Sequence, residues 1–378
     1  MSKIAIVGMG CRFAQAPDLQ AYWKLTLEGR NAFGPIPADR WDAELFYSES
    51  RRVPDKTYAP AGAFIKDVRS FPALALGIPP RRVEVMDPQQ RFSLEVCRQA
   101  VEDSGRTPDQ MPARTGVFIG ITASEWRELI VLRQLAQTLA TGAYGEPPAD
   151  PSVITDAVSA VVPPRPYTAP GVLGNMCAAT VAQELNLKGP AYTVDSACAS
   201  GLIAMYDAIL QLQTGAIDAA LAGGVYLCLT PDHHVAFARI GAMSQQGVCR
   251  PFDKDADGFV QGDGAAVVVL KRHEDAVRDG DRIYAVIEGI ALNSDGAGDG
   301  PMAPNRDGQG DVIRRAWEAA GLTAEGLGYV ETHGTGTPVG DPTEIQGLSD
   351  TVGDQTQRAA LGSSKANIGH TMSAAGIA

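Results

Sequence analysis

The chain has 378 residues, of which 45% are hydrophobic and 20% charged, an ordinary globular balance that excludes wholesale disorder. The formal net charge is −12 and no run of lysine or arginine offsets it, so we expect no nucleic acid partner. No segment has the apolar length of a membrane span, the opening residues lack a signal peptide's apolar run, and the six cysteines show no paired spacing. These features predict a protein of the reducing cytoplasm with no membrane partner.

In the first part of the chain, short apolar runs alternate with amphipathic stretches. Strands are predicted over residues 3–7 and 117–121, and helices over residues 19–27 and 89–103. Gly8-Met9-Gly10 resembles the start of a dinucleotide-binding fingerprint, but Phe13 stands at the third glycine position. We therefore predict a tight turn there and no dinucleotide site.

Residues 125–170 have a different composition from the rest of the chain. One amphipathic stretch is followed by a set of prolines: Pro147, Pro148, Pro151, Pro163, Pro164, Pro166 and Pro170. Such a stretch is typical of an excursion over the surface, where specificity or subunit contacts are often built.

Strand and helix signals begin again after this excursion. Strands are predicted over residues 192–194, 265–270 and 284–290, and helices over residues 199–212 and 312–320. Alternation that starts twice indicates an α/β protein made of two related halves, with a break near residues 250–283.

Cys198 is the candidate nucleophile. It lies in VDSACASG, where a short predicted strand gives way to a buried helix. Free N–H groups and the positive end of the helix dipole meet a side chain at such a junction, which predicts a stabilised thiolate. The other cysteines in apolar sequence, Cys97, Cys177 and Cys228, fit an ordinary buried structural role.

Two of the five histidines stand where a strand ends in a glycine-rich turn. His333 opens HGTGTPVGDPTE and His370 ends GSSKANIGH. Backbone can approach a ligand closely at such turns, and an imidazole can point into a cleft. By contrast, His233-His234 has no ligand spacing and indicates a surface feature, and Asp253, Asp255 and Asp257 lack the glutamate that ends an EF-hand loop.

The longest of these motifs resemble one family. IAIVGMGCRF, MDPQQR, VDSACASG, RPFDKDADGFVQGDGAAVVVLKR, HGTGTPVGDPTE and SSKANIGH occur in the order found in the ketosynthase (β-ketoacyl synthase) domain of type I polyketide synthases and polyunsaturated fatty acid synthases. The resemblance implies a thiolase-like α/β fold with layers α-β-α-β-α. Its N-terminal half would cover residues 1–272, with the excursion at 125–170, and its C-terminal half residues 273–378.

The resemblance also implies the site and its partners. Cys198, His333 and His370 would form a catalytic triad, supported by an ion pair between Lys365 and Glu344. Thr335 and Thr337 would bind the phosphopantetheine that arrives on an acyl carrier protein, so no metal or cofactor of the protein's own is expected. The resemblance implies a homodimer as well.

The implied activity is decarboxylative Claisen condensation of a Cys-bound acyl chain with a malonyl-type extender, in polyketide or fatty acid biosynthesis. Alternatives are a discrete elongating synthase of fatty acid synthesis, a biosynthetic thiolase, and a non-condensing carrier-binding or chain-length partner subunit. Two histidines argue against a thiolase. The family continues beyond the SSKANIGH helix to a GFGGTNAH-like segment, whereas this chain stops at Ala378. We therefore expect an incomplete C-terminal half.

Overall fold

A computed structural model describes residues 2–74, 76–159, 161, 165–298, 300, 302–353 and 359–378. The strands are β1 (Ile4–Phe13), β2 (Gly34–Pro35), β3 (Ala61–Gly62), β4 (Thr115–Gly120), β5 (Ala191–Val194), β6 (Ala219–Tyr226), β7 (Gly264–Arg272), β8 (Ala285–Ile287), β9 (Tyr329–Glu331) and β10 (Ala360–Gly362). The helices before β5 are α1 (Leu19–Leu27), α2 (Ala43–Phe46), α3 (Pro80–Val83), α4 (Pro88–Asp103), α5 (Glu125–Ala140), α6 (Pro151–Ser159), α7 (Thr168–Val172) and α8 (Met176–Glu184). Those after it are α9 (Ser200–Gln213), α10 (Asp232–Arg239), α11 (His273–Asp279), α12 (Arg306–Ala320), α13 (Gly340–Val352) and α14 (Lys365–Ile368).

A six-stranded sheet in the order β5-β4-β6-β7-β1-β8 forms the centre of the protein. Strand β4 runs parallel to β5 and β6, whereas β7 is antiparallel to β6 and β1, and β8 is antiparallel to β1. The predicted strand over residues 284–290 is thus the short β8, which joins the same sheet as the first strand.

Both faces of this sheet are covered by helices. Side chains alternate along each strand, so Val117 and Leu221 pack toward α4 and α8, while Phe118 and Ala222 pack toward α9. Strands that are buried on both faces consist of continuous apolar runs, which is why these strands could be predicted from the sequence. The arrangement confirms the predicted α/β class.

The predicted tight turn at Gly8-Met9-Gly10 is wrong, because β1 continues through it as far as Phe13. The two glycines instead let helix α4 lie directly on the strand. A Cβ atom at Gly8 would stand 2.4 Å from the Ala100 carbonyl oxygen, and one at Gly10 would stand 2.3 Å from that of Val96. The glycines therefore serve close packing of backbone against backbone.

The predicted excursion contains α5, α6 and α7, with α5 packed against α6. Pro163 and Pro164 lie outside the described residues. Helix α5 leaves Val131, Leu132 and Leu135 between 42% and 50% exposed.

Further along the chain, β9 and β10 form a separate parallel pair, and α12 packs on α13. Within the described residues, no helix combines the length and apolar character needed to cross a membrane.

Candidate active site

Cys198 lies in a strained turn between β5 and α9. The turn is a 3₁₀ segment, Ala197–Ala199, in which Ala197 has a φ of 49°. That left-handed conformation costs a residue with a side chain about 1–2 kcal/mol. Ser200 holds the turn, because its Oγ donates to the Ala197 carbonyl over 2.7 Å and accepts from the Ser196 N–H over 2.8 Å. The half-buried thiol thus stands at the sheet end, beside the start of α9.

Both backbone groups of His370 are hydrogen-bonded to the extended segment of residues 259–262. Its N–H donates to the Val260 carbonyl over 2.7 Å, and its own carbonyl accepts from the Gly262 N–H over 2.9 Å. Gly369 permits this approach, since its φ is 72° and a Cβ there would stand 2.6 Å from the Val260 oxygen. The Phe259 ring packs edge-on against the imidazole, with centroids 5.2 Å apart.

The imidazole of His370 points at the candidate nucleophile. Its Nε2 lies 3.0 Å from Cys198 Sγ. Its Nδ1 faces the Met372 N–H at 3.3 Å, and since a backbone amide can only donate, Nδ1 must be the acceptor. The proton of the neutral ring is therefore on Nε2, where it can be donated toward the sulfur or a substrate oxygen.

His333 completes the cluster from the loop after β9. Its ring stands 5.4 Å from that of His370, nearly perpendicular to it, and the ligand atoms of Cys198, His333 and His370 all lie within 4.8 Å of one another. The structure therefore brings together the three residues that the sequence predicts as a triad. Their sulfur and nitrogen atoms also have the spacing of a metal site, although the neighbouring Lys365 ammonium opposes a bound cation.

The predicted Lys365–Glu344 ion pair is not formed. Among the ion pairs of the described residues, none joins Lys365 to a carboxylate within 4.0 Å. Both oxygens of Glu344 are instead used by the loop that carries the histidine, accepting the His333 N–H over 2.6 Å and the Gly334 N–H over 2.8 Å. Glu344 thus shapes the site by holding backbone, and Glu331 is the stronger electrostatic neighbour of Lys365.

Burial keeps both histidines neutral. Desolvation by the surrounding protein, and then the Lys365 ammonium, lower the pKa of His333 to about 4, although the residue as a whole is exposed to solvent. Burial, then His333 and then Lys365 lower the pKa of His370 well below 6.5. Two neutral imidazoles therefore face the sulfur at physiological pH.

The expectation of a stabilised Cys198 thiolate is wrong for this state of the site. Burial raises the pKa of the Cys198 thiol above its usual value, and the Lys365 ammonium and the cysteine's own N–H only partly oppose that effect. The helix terminus could be predicted from the sequence, but the burial of the sulfur could not.

Thr335 and Thr337 line the turn that follows His333. Their hydroxyl oxygens lie 3.1 Å apart, and Thr337 Oγ1 also accepts from the Gly340 N–H over 3.2 Å. Gly336 between them has a φ of 74°, which brings both threonines to one side of the loop. Thr335 is buried and Thr337 is half-buried, so the two hydroxyls form a largely enclosed polar pair in the loop that follows His333.

The prediction that His233-His234 is a surface feature is wrong. His234 is fully buried and faces Thr57 Oγ1 at 3.2 Å, while His233 Nδ1 lies 2.7 Å from the fully buried Glu125 carboxylate. Glu125 and Gln261 are polar residues near the site that sequence reasoning missed. Their hydrogen-bond partners come from distant segments of the chain, so no local pattern in the sequence identifies them.

Two family descriptions match the chain: "Beta-ketoacyl synthase, N-terminal domain" over residues 1–276 and "Beta-ketoacyl synthase, C-terminal domain" over residues 284–378. The chain belongs to the β-ketoacyl synthase family. The chain is 41% identical over 377 residues to a phenolphthiocerol/phthiocerol polyketide synthase subunit of Mycobacterium tuberculosis, covering 99% of this chain and 23% of that protein. It is 41% identical over 384 residues to another phenolphthiocerol/phthiocerol polyketide synthase subunit, from Mycobacterium bovis, covering 99% of this chain and 19% of that protein.

Two solved structures confirm the thiolase-like fold of this chain. The ketosynthase from module 6 of the bacillaene synthase of Bacillus subtilis is 35% identical with a TM-score of 0.84, covering 99% of this chain and 59% of that one. An oxazolomycin ketosynthase domain from Streptomyces albus is 34% identical with a TM-score of 0.87, covering 100% and 61%. The chain thus spans about three fifths of these chains and less than a quarter of the two mycobacterial polyketide synthase proteins.

Proposed function

We propose that this ketosynthase forms carbon–carbon bonds by decarboxylative Claisen condensation of a Cys198-bound acyl chain with a malonyl-type extender. The observation that carries the proposal is the 3.0 Å contact between His370 Nε2 and Cys198 Sγ, in a cluster that also contains His333. A nucleophilic thiol and two hydrogen-bond donors at one point are what acyl transfer followed by enolate formation requires.

The first step is transfer of the acyl chain to Cys198. The sulfur attacks the carbonyl carbon of the incoming thioester, a new carbon–sulfur bond forms, and the phosphopantetheine thiol leaves with the proton that Cys198 gives up. Because the resting thiol has a raised pKa, it gives up that proton only as it attacks the thioester, and the proton passes to the departing phosphopantetheine sulfur. The Lys365 ammonium favours the negative charge that develops on the Cys198 sulfur during this step.

The second step is condensation. The extender loses carbon dioxide, and the electron pair of the broken bond becomes an enolate whose oxygen carries the charge. The neutral rings of His333 and His370 donate hydrogen bonds to that oxygen, and removal of one such donor typically costs about 2.7–4 kcal/mol of barrier. The carbanion then attacks the carbonyl carbon of the Cys198 thioester, the bond from that carbon to the Cys198 sulfur breaks, and the sulfur leaves as a thiolate that takes up a proton from solvent. The proposed steps require no metal or redox cofactor.

An acyl carrier protein is the partner that the proposal requires. Polyketide synthesis is favoured over fatty acid synthesis, because the relatives above are polyketide synthase subunits and ketosynthases. Thr335 and Thr337 would hydrogen-bond the phosphopantetheine arm, since their hydroxyls share one side of the loop beside His333. The free cysteines suit the reducing cytoplasm, which we include in the proposal.

A homodimer is part of the same proposal. Strand β5, which leads to Cys198, forms one edge of the central sheet. Exposed apolar side chains on α5, Val131, Leu132 and Leu135, offer further surface for a second copy. An edge strand is a ready template for pairing with another chain.

Mass spectrometry after incubation with an acyl thioester tests the first step. We expect the peptide that contains Cys198 to gain the acyl mass and Cys198→Ala to gain none. Cys249→Ala is the matched control, because Cys249 is a buried thiol of the same hydrophobic cluster, and this variant should be acylated like the parent. Acylation of another residue, or none at Cys198, would contradict the proposal.

A further inference from the structure

A buried polar cluster behind the active site has no part in the steps above. Its centre is the carboxylate of Glu125, which is completely buried at the start of α5. Oε2 accepts the N–H groups of Leu229 and Thr230, both over 2.6 Å. Oε1 accepts the hydroxyl of Tyr226 over 3.0 Å and faces Nδ1 of His233 at 2.7 Å. This many donors fix the carboxylate in one orientation.

From Glu125 the hydrogen bonds continue toward the catalytic centre. The Tyr226 hydroxyl has one proton, which it donates to Glu125, so its oxygen is left as an acceptor. The Gln261 side chain donates Nε2–H to that oxygen over 2.5 Å, and both side chains are almost completely buried. Each bond therefore fixes the direction of the next.

Gln261 lies in the segment 259–262, to which the backbone of His370 is hydrogen-bonded. Its neighbours Val260 and Gly262 make the two backbone hydrogen bonds that hold His370, over 2.7 and 2.9 Å, and Phe259 packs on the imidazole. The Gln261 side chain is thus the link between the buried carboxylate and the backbone that holds His370.

We propose that Tyr226 and Gln261, anchored on Glu125, are positioning residues for His370. The inference rests on the proposed function, because it concerns the aim of the Nε2–H that stabilises the enolate. A donor in an active site must be held within about 0.5 Å and 10–20° of its productive geometry. Segment 259–262 is also held by backbone bonds to Ala63, Ala242 and Ser244, so loss of the Gln261 side-chain tether would change its exact position without releasing it. Misplacement by about 1 Å can lower a rate roughly 100-fold.

The two half-reactions separate positioning from mere stability. Acylation of Cys198 depends chiefly on the thiol and its turn, whereas decarboxylation of a malonyl thioester needs the Nε2–H of His370. For Tyr226→Phe we expect the kcat of decarboxylation to fall roughly 10–100-fold with KM little changed, while the acylation rate stays within about threefold. Gln261→Met leaves the Tyr226–Glu125 bond in place and should show the same selective loss.

The matched control is another buried polar site far from the reaction. Lys271 and Asp281 form an ion pair with 3% and 5% exposed side chains at the opposite end of β7. Asp281→Asn should lower the melting temperature but leave the ratio of the two half-reaction rates unchanged. If Tyr226→Phe and Gln261→Met also leave that ratio unchanged, the positioning role is overturned. If the parent protein neither acylates Cys198 nor decarboxylates the extender, the proposed function itself fails, and the positioning role fails with it.

Discussion

At the scale of single residues, the site combines neutral histidines with a protonated thiol. Burial lowers the pKa of His333 and His370 and raises that of Cys198, so no member of the triad is charged in the resting state. Lys365 is the nearby cation, and burial lowers its pKa as well. Negative charge on the sulfur or the substrate therefore appears only as the reaction proceeds, where fixed donors stabilise it more than water would.

Buried His234 gives a testable dependence of stability on pH. Burial lowers its pKa to about 4 from 6.5, so below 6.5 the unfolded chain binds a proton that the folded protein excludes. Its contribution to stability is complete above pH 6.5 and is lost as the pH falls toward 4, by about 3 kcal/mol. Urea unfolding of the parent protein and of His234→Gln at several pH values measures how the free energy of unfolding of each depends on pH. As the pH falls, the stability of the variant should decrease less steeply than that of the parent. Parallel curves for the two proteins would contradict the lowered pKa of His234.

At the scale of elements, the first strand shows why glycine stands where a turn was predicted. Gly10→Ala would push a methyl group to within 2.3 Å of the Val96 carbonyl oxygen in α4. Overpacking of this kind costs about 1–3 kcal/mol of unfolding free energy. Gly34→Ala is the control, since no atom lies within 4 Å of the added carbon and its effect should stay near 0.5 kcal/mol. Equal effects in denaturant unfolding would refute close packing as the role of Gly10.

Local elements were the most predictable part of the fold. Helix α1 has the predicted bounds, and the strand before Cys198 differs from its prediction by one residue. Both follow from periodicity and end signals within one window of sequence. The continuation of β1 through Gly8 was missed because its cause, helix α4, lies about ninety residues away.

At the scale of the whole molecule, the site exists only because distant segments meet. Cys198, His333 and His370 could be predicted from motifs, but their 4.8 Å cluster depends on how β5, β9 and α14 are placed. The Lys365–Glu344 pair failed as a prediction because sequence motifs do not tell whether a carboxylate faces a side chain or backbone. The Glu125–Tyr226–Gln261 chain likewise joins three segments with no shared motif.

The proposed homodimer can be tested at the β5 edge. Pro190 and Val194 turn their carbonyls toward β4, so the backbone of Thr193 faces away from the sheet. Thr193→Pro should block pairing with a second copy while leaving the bonds to β4 intact. Light scattering should show a dimer for the parent and a monomer for the variant, with Thr193→Val as a dimeric control. A parent that is already monomeric would contradict the proposal.

Carbon–carbon bond formation is the central claim, and its product can be measured directly. Protein first acylated on Cys198 is mixed with a malonyl-loaded acyl carrier protein, and carrier-bound products are weighed by mass spectrometry. We expect a β-ketoacyl carrier two carbons longer than the starting acyl chain, with His370→Ala acylated but lowered in product formation by roughly 100–1,000-fold. Acylated parent protein that releases no carbon dioxide and forms no extended product, or a His370→Ala variant that condenses at the parent rate, would contradict the account.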